Sequence, residues 1–242
     1  MGQLARTSIA PAPHGRTRLT INLQNLEVGF IGLGNMGLPM CKRMLTAQVH
    51  VKVFDINSGA ITFAVDHGAR NGRLTIFVGG DKSSFDRVSP LLGNLGKAIH
   101  CGALGSGNVV KLVTNQLWFI AAAAIGEGFA TGIANGVELG KLWGAIKESV
   151  GDSFVARHDA PSIFAGHYDP SFSLELCLKD LGLISELGQQ VDADLPMTAA
   201  AISAFTVARD RYGASAAELH VAKRIEDDSK ISMRLDGNWT PP

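Results

Sequence analysis

Cysteine is scarce. The chain has three, Cys41, Cys101 and Cys177, odd in number and widely spaced. That excludes a disulfide framework, and with neither C-x-x-C nor H-E-x-x-H present there is no metal signature. A net charge is missing as well, because 22 Lys and Arg face 22 Asp and Glu. A neutral chain does not fit a nucleic-acid binder led by phosphate neutralisation, or a polybasic membrane anchor. The first residues hold no apolar h-region, so no secretory signal is expected. One stretch, from Leu112 to Val137, approaches the length of a membrane span, and its only charge is Glu127. Asn115, Gln116, Glu127 and Asn135 would make lipid exposure costly, so it reads as a buried helix of a soluble protein. No nucleic-acid or membrane partner is expected.

What is present is apolar and rich in glycine. Hydrophobic residues make up 46% of the 242, which excludes a disordered chain, and there are 28 glycines. The length suits one large domain or two small ones, with a sizeable core. Leu26–Ile31, Val49–Phe54, Leu74–Val78 and Lys97–His100 read as strands. Pro39–Ala47 and Ala60–His67 read as helices, and Ser83 or Ser84 is a candidate cap for another ending near Leu92. Beyond Gly102 strand signals stop. Helical periodicity follows over about 107–136, 138–150, 174–190, 196–212 and 214–228, with Pro161, Pro170 and Pro196 marking connections. The expectation is an α/β plus all-α chain: a tail at 1–24, an α/β part at 25–103, an all-helical part at 104–232 and an irregular tail at 233–242. Residues 1–26 carry Arg6, Arg16 and Arg18 with Ser and Thr and no acid, a pattern also loosely like a mitochondrial transit peptide.

Gly32-Leu33-Gly34-Asn35-Met36-Gly37 is G-x-G-x-x-G between an expected strand and an expected helix. In that setting Gly32 makes a tight turn, Gly34 admits a pyrophosphate close to the backbone, and Gly37 lets helix and strand approach. The helix N-terminus offers free N–H groups to the phosphates. Asp55 follows the second strand, where a carboxylate would bind both adenosine ribose hydroxyls and repel a 2′-phosphate, favouring NAD over NADP. The bland alternative is a glycine turn that serves packing alone.

A second constellation is Gly105-Ser106-Gly107-Asn108-Val109-Val110-Lys111-Leu112-Val113-Thr114-Asn115. Lys111 and Asn115 are four apart and share a helical face. Val109, Val110, Leu112 and Val113 bracket the lysine, and desolvation there would lower its pKa toward neutrality, as a general acid/base requires. The alternative is a lysine whose head snorkels to water.

Phe30-Ile31-Gly32-Leu33-Gly34-Asn35-Met36-Gly37-Leu38-Pro39-Met40 resembles the opening of the β-hydroxyacid dehydrogenase family, which includes 3-hydroxyisobutyrate dehydrogenase and tartronate semialdehyde reductase. The lysine segment resembles that family's G-x-G-x-x-x-K-x-x-x-N catalytic stretch at every fixed position. Lys179-Asp180-Leu181 is similar to its Lys-Asp-Leu segment, whose lysine lies near nicotinamide and substrate. Leu195-Pro196-Met197-Thr198-Ala199 also fits. The resemblance implies a Rossmann-like NAD-binding domain followed by a helical substrate and dimerisation domain. It implies Lys111 as general acid/base, Asn115 holding the substrate oxygen or orienting Lys111, and Lys179 at the cofactor. A short 3-hydroxy acid would be the substrate, a homodimer or homotetramer the assembly, and the cytoplasm the location, with the mitochondrial matrix as alternative. Imine reductases and 6-phosphogluconate dehydrogenase share the architecture, but many imine reductases vary the lysine position.

The family pattern breaks once. Asp66-His67-Gly68-Ala69-Arg70 belongs after the second strand, yet Asn71-Gly72-Arg73 leads directly into a segment the family reaches several βα units later. Two strands of the six-strand core remain, plus the two later ones. The segments lining the nicotinamide half are absent, and the family's substrate-binding Ser-Gly-Gly occurs nowhere in the chain. The expected result is a truncated Rossmann-like domain with severely reduced activity. A catalytically impaired remnant, acting only as a weak nucleotide-binding or dimerising protein, is the competing reading.

Overall fold

A computed structural model describes residues 27–31, 37–54 and 74–237. The chain divides into two compact units, one ending at Gly107 and one beginning at Asn108.

In the first unit β1 (Glu27–Ile31) leads to α1 (Gly37–Thr46) and β2 (His50–Phe54). β1 and β2 run parallel, with Glu27 opposite His50 and Ile31 opposite Phe54. A parallel pair needs a crossover, and α1 supplies it. β3 (Leu74–Gly79), α2 (Lys82–Leu92) and β4 (Gly96–Gly102) repeat the pattern as a second parallel pair. Among the described strands each pair forms its own two-stranded sheet. A small core of Met44, Val49 and Leu95 joins them, with Val28, Phe30, Val51 and Ile76 packed against it. Arg43 on α1 donates from Nε to the Asn94 carbonyl at 2.9 Å, tying α1 to the turn before β4. Among the described residues, these two short sheets bury few apolar side chains fully.

The second unit is helical. It holds α3 (Ser106–Ala134, whose first two residues belong to the first unit), α4 (Leu139–Lys147), a π-helical turn (Val155–Asp159) and α5 (Ala160–Ala165). α6 (Leu174–Gln189), α7 (Pro196–Tyr212) and α8 (His220–Ser229) complete it. Its core is continuous, with Phe119, Phe129, Phe164, Leu174, Leu181, Phe205 and Met233 fully or almost fully buried. A side chain at Gly126 would meet the Ala222 backbone at 2.9 Å, so this glycine lets α3 and α8 approach closely.

α3 is long and apolar enough to cross a membrane by length and composition. Phe119, Ala122, Ile125 and Phe129 instead turn one face into the helical core. It is less buried than the sequence suggests: only 28% of its most apolar window is covered, and Val109, Val113 and Leu117 form an exposed apolar stripe at four-residue spacing.

Three local expectations are corrected. α2 is capped by Asp81, whose carboxylate accepts from the Ser84 N–H at 2.9 Å, and not by Ser83 or Ser84. Pro161 opens the short helix α5 instead of marking a connection, since proline needs no N–H in a first turn. The segment expected as helix over 214–228 becomes helical only at His220. Before that it pairs with the start of α6 through a bridge between Ser173 and Ala217. The expected helix Ala60–His67 lies outside the described residues.

Candidate active site

α3 presents Lys111 and Asn115 on one face, one turn apart. Gly107 explains how the helix starts there. A Cβ on it would lie 2.6 Å from the Phe77 carbonyl oxygen, so only glycine lets the start of α3 sit against β3. α6 brings the third member, Asp180, on the face that also buries Cys177, Leu181 and Ile184. The Ser173 hydroxyl caps that helix by accepting from the Leu176 N–H at 3.3 Å.

The three side chains meet at one atom. Lys111 Nζ donates to Asp180 Oδ2 at 2.5 Å, and Asn115 Nδ2 donates to the same oxygen at 2.8 Å. The Asp180 carboxylate is 10% exposed and the lysine side chain 48% exposed. The desolvated lysine expected from its apolar neighbours is therefore corrected. Those neighbours leave the helix in other directions, and the ammonium is half in water against a carboxylate. The arrangement holds an ammonium in a fixed place, open on one side, with an amide beside it, suited to a proton donor or a cationic anchor for a substrate oxygen.

Asp180 belongs to the cluster although Lys179 was the expected site residue of that segment. Lys179 is exposed and takes part in none of the described hydrogen bonds or ion pairs. The signal was in the sequence, because the Lys-Asp-Leu segment contains both. One turn along α3 from the lysine, Gln116 Nε2 donates to the buried Thr198 hydroxyl at 2.7 Å and so ties α3 to the first turn of α7.

Farther along α3 lies an open cleft of about 530 Å³, walled by Thr114, Leu117, Trp118 and Ala121 of α3 and by Ser153, Phe154 and Val155. Its walls are almost wholly apolar. Trp118 Nε1 donates to Asp159 Oδ2 at 2.7 Å, and the His158 ring nitrogen Nδ1 lies 2.8 Å from Asp159 Oδ1. Burial raises the pKa of Asp159, against the hydrogen bonds from Trp118 and His158, which lower it.

In the first unit, Gly32, Leu33, Gly34, Asn35, Met36 and Asp55 lie outside the described residues. The described register still tests the fit to a dinucleotide. Ile31 and Phe54 are direct neighbours at the ends of two parallel strands, so β1 and β2 end at the same edge of their sheet. Gly37 then opens α1, whose first turn carries no acidic side chain to oppose a phosphate. These features fit the adenosine and pyrophosphate half of NAD. The nicotinamide half normally rests beyond the other edge of the first strand, and no described strand pairs with β1 there.

Residues 105–225, half the chain, match the family model described as NAD-binding of NADP-dependent 3-hydroxyisobutyrate dehydrogenase. The chain belongs to the β-hydroxyacid dehydrogenase family. The model for the NAD binding domain of 6-phosphogluconate dehydrogenase matches in two pieces, 27–68 and 64–105. That split falls where the family pattern breaks. A 2-(hydroxymethyl)glutarate dehydrogenase of Eubacterium barkeri is 35% identical over 140 residues, which cover 57% of this chain and 46% of the relative. A 3-hydroxyisobutyrate dehydrogenase of Pseudomonas aeruginosa is 34% identical over 148 residues, covering 58% and 50%. The chain thus spans about half the length of these curated relatives. The fold is similar to that of Mycobacterium tuberculosis 3-hydroxyisobutyrate dehydrogenase with L-serine, at a TM-score of 0.72 and 20% identity, covering 83% of this chain and 99% of that one. This member of the family therefore joins a nucleotide-binding region matched in two pieces to a helical region matched over residues 105–225.

Proposed function

We propose that this chain is an NAD-dependent oxidoreductase of the 3-hydroxyisobutyrate dehydrogenase type, acting on a short 3-hydroxy acid, with activity severely reduced by the loss of its nicotinamide half. The observation that carries this reading is the convergence of Lys111 and Asn115 on Asp180. When bound, NAD supplies the hydride acceptor. Lys111 takes the hydroxyl proton in oxidation and returns it to the alkoxide oxygen in reduction. Asp180 holds the lysine head and Asn115 orients it or the substrate oxygen.

Gly32, Leu33, Gly34, Asn35, Met36 and Gly37 hold the pyrophosphate and Asp55 the adenosine ribose, favouring NAD over NADP. Lys179, exposed on the turn of α6 that carries Asp180, faces the cofactor. Loss of the nicotinamide half removes positioning, which can supply ~7–11 kcal/mol of a barrier. The exposed stripe of Val109, Val113 and Leu117 supports self-association as a homodimer or homotetramer. The cytoplasm, or alternatively the mitochondrial matrix, is the proposed location.

The second reading, a non-catalytic remnant, is favoured by the two separate sheets. Titration with NAD and a turnover screen on 3-hydroxyisobutyrate and tartronate semialdehyde separate the two. Absence of both NAD binding and turnover would sink the dehydrogenase reading.

A further inference from the structure

α3 meets α6 on one side and α7 on another, and polar contacts are made on both. Asn115 Nδ2 reaches Asp180 of α6 at 2.8 Å, and Gln116 Nε2 reaches the Thr198 hydroxyl of α7 at 2.7 Å. Neighbouring helical residues point about 100° apart around the axis, so the two amides grip α3 from different directions. Thr198 is 1% exposed, and among the described hydrogen bonds its contact with Gln116 is the one that joins α3 to α7.

The anchor at Thr198 is itself fixed. Pro196 opens α7, and Thr198 lies in that first turn. Leu195, just before it, packs on Gly188 near the end of α6, where a Cβ would lie 2.5 Å from the leucine Cδ1. The hydroxyl therefore stands in a set relation to the helix that carries Asp180. An apolar contact also joins α3 to α7, because the rings of Phe119 and Phe205 lie edge to face with centroids 5.7 Å apart. Such a contact resists separation but tolerates a small rotation, whereas a hydrogen bond weakens steeply as its angle closes. The bond from Gln116 to Thr198 is thus the contact that fixes how far α3 is turned about its own axis.

That turn matters at the cluster. Lys111 and Asn115 both bond Asp180 Oδ2, so one oxygen must sit in reach of two side chains a helical turn apart. At roughly 6 Å from the axis, a rotation of about 10° carries a side-chain atom about 1 Å. A displacement of that size can cost ~10²-fold in rate.

We infer that Thr198, acting through Gln116, is a positioning residue for the Lys111, Asn115 and Asp180 cluster, setting the rotation of α3 at which both side chains reach one carboxylate oxygen. Thr198 acts through Gln116 and its neighbour Asn115, not on the substrate. The inference rests on the reading of Lys111 as the proton-transferring group and adds the device that aims it.

Thr198→Val keeps the shape of the side chain and removes the oxygen that Gln116 needs. The reporter is the Asn115 side-chain amide, followed by nuclear magnetic resonance of the isotope-labelled full chain and assigned by its loss in Asn115→Asp. In the parent, the amide proton bonded to Asp180 should stand downfield of an exposed asparagine. It should move to the exposed position in Thr198→Val and return in Thr198→Ser, which restores the hydroxyl. Gln116→Met, which removes the donor from the other side, should move it likewise. Arg234→Lys, which weakens the contacts of Arg234 with Glu226 and Tyr168, should lower the thermal midpoint and leave the Asn115 signal in place. In turnover, Thr198→Val should lower kcat by ~10²-fold with little change in KM. An Asn115 signal that stays put in folded Thr198→Val, or already stands at the exposed position in the parent, overturns the inference. Unfolding of both Thr198→Val and Gln116→Met would show a structural tie and overturn it too. The predicted shifts in a parent that forms no NADH would sink the dehydrogenase reading alone. Turnover that falls in Lys111→Ala but not in Thr198→Val would sink the positioning inference alone.

Discussion

Glu218 should make the helical unit less stable as pH rises, and Glu218→Gln should remove that dependence. The side chain is fully buried and neither carboxylate oxygen has a hydrogen-bond partner among the described residues. Desolvation, reinforced by the nearby Asp169 and Asp159 carboxylates, pushes its pKa up to about 8 from an ordinary 4.5. The folded chain therefore holds this proton more tightly than the unfolded one. The resulting stability is fully present below the ordinary pKa and is lost as pH rises through about 8. At 1.36 kcal/mol per pH unit, the interval allows a loss of at most about 5 kcal/mol, and water reaching the carboxylate would reduce it to a few. Glutamine has the same shape and no proton to lose. Denaturant unfolding followed by far-ultraviolet circular dichroism at pH 5, 6.5 and 8 measures the difference. The variant should match the parent within about 1 kcal/mol at pH 5 and exceed it by about 2–5 kcal/mol at pH 8. His220, whose burial lowers its pKa, tilts stability the opposite way at acidic pH in both proteins and cancels in the comparison. A parent with no stability loss relative to the variant between pH 5 and pH 8 would refute the reasoning.

Other outcomes follow from the same contacts. Gly107→Ala should destabilise the junction of β3 and α3 by about 1–3 kcal/mol, because its Cβ would lie 2.6 Å from the Phe77 carbonyl oxygen. Thermal unfolding would show it, and an unchanged midpoint would contradict the packing. Asp55→Asn should weaken NAD binding and narrow the preference over NADP, read by titration with both nucleotides. A preference unaltered by that change would remove Asp55 from the ribose site.

The strands and long helices were legible because each rests on local pattern. Glu27–Ile31 and Leu74–Gly79 are short apolar runs bounded by turn residues, and α3 is one unbroken periodic segment. The Lys111–Asn115 pair was legible for the same reason, since a helix fixes residues four apart. Asp180 was harder to place. It meets Lys111 across 69 positions, and no local rule tells which of Lys179 and Asp180 turns inward. The α8 boundary failed through tertiary pairing. Residues 214–218 are helix-compatible, yet the Leu174 N–H donates to the Ala216 carbonyl and the Glu218 N–H to the Phe172 carbonyl. Those bonds hold the segment in turns against the start of α6. The Asp81 cap was missed because two serines beside it looked equally able, and only the backbone shows which oxygen meets the Ser84 N–H.

The most direct measurement is the rate of NADH formation from a 3-hydroxy acid by the full chain and by its Lys111→Ala variant. The prediction is a slow, NAD-dependent rate in the parent that falls by ~10²–10⁴-fold in the variant. An equal rate in the two proteins would contradict the assignment of Lys111 as the proton-transferring group.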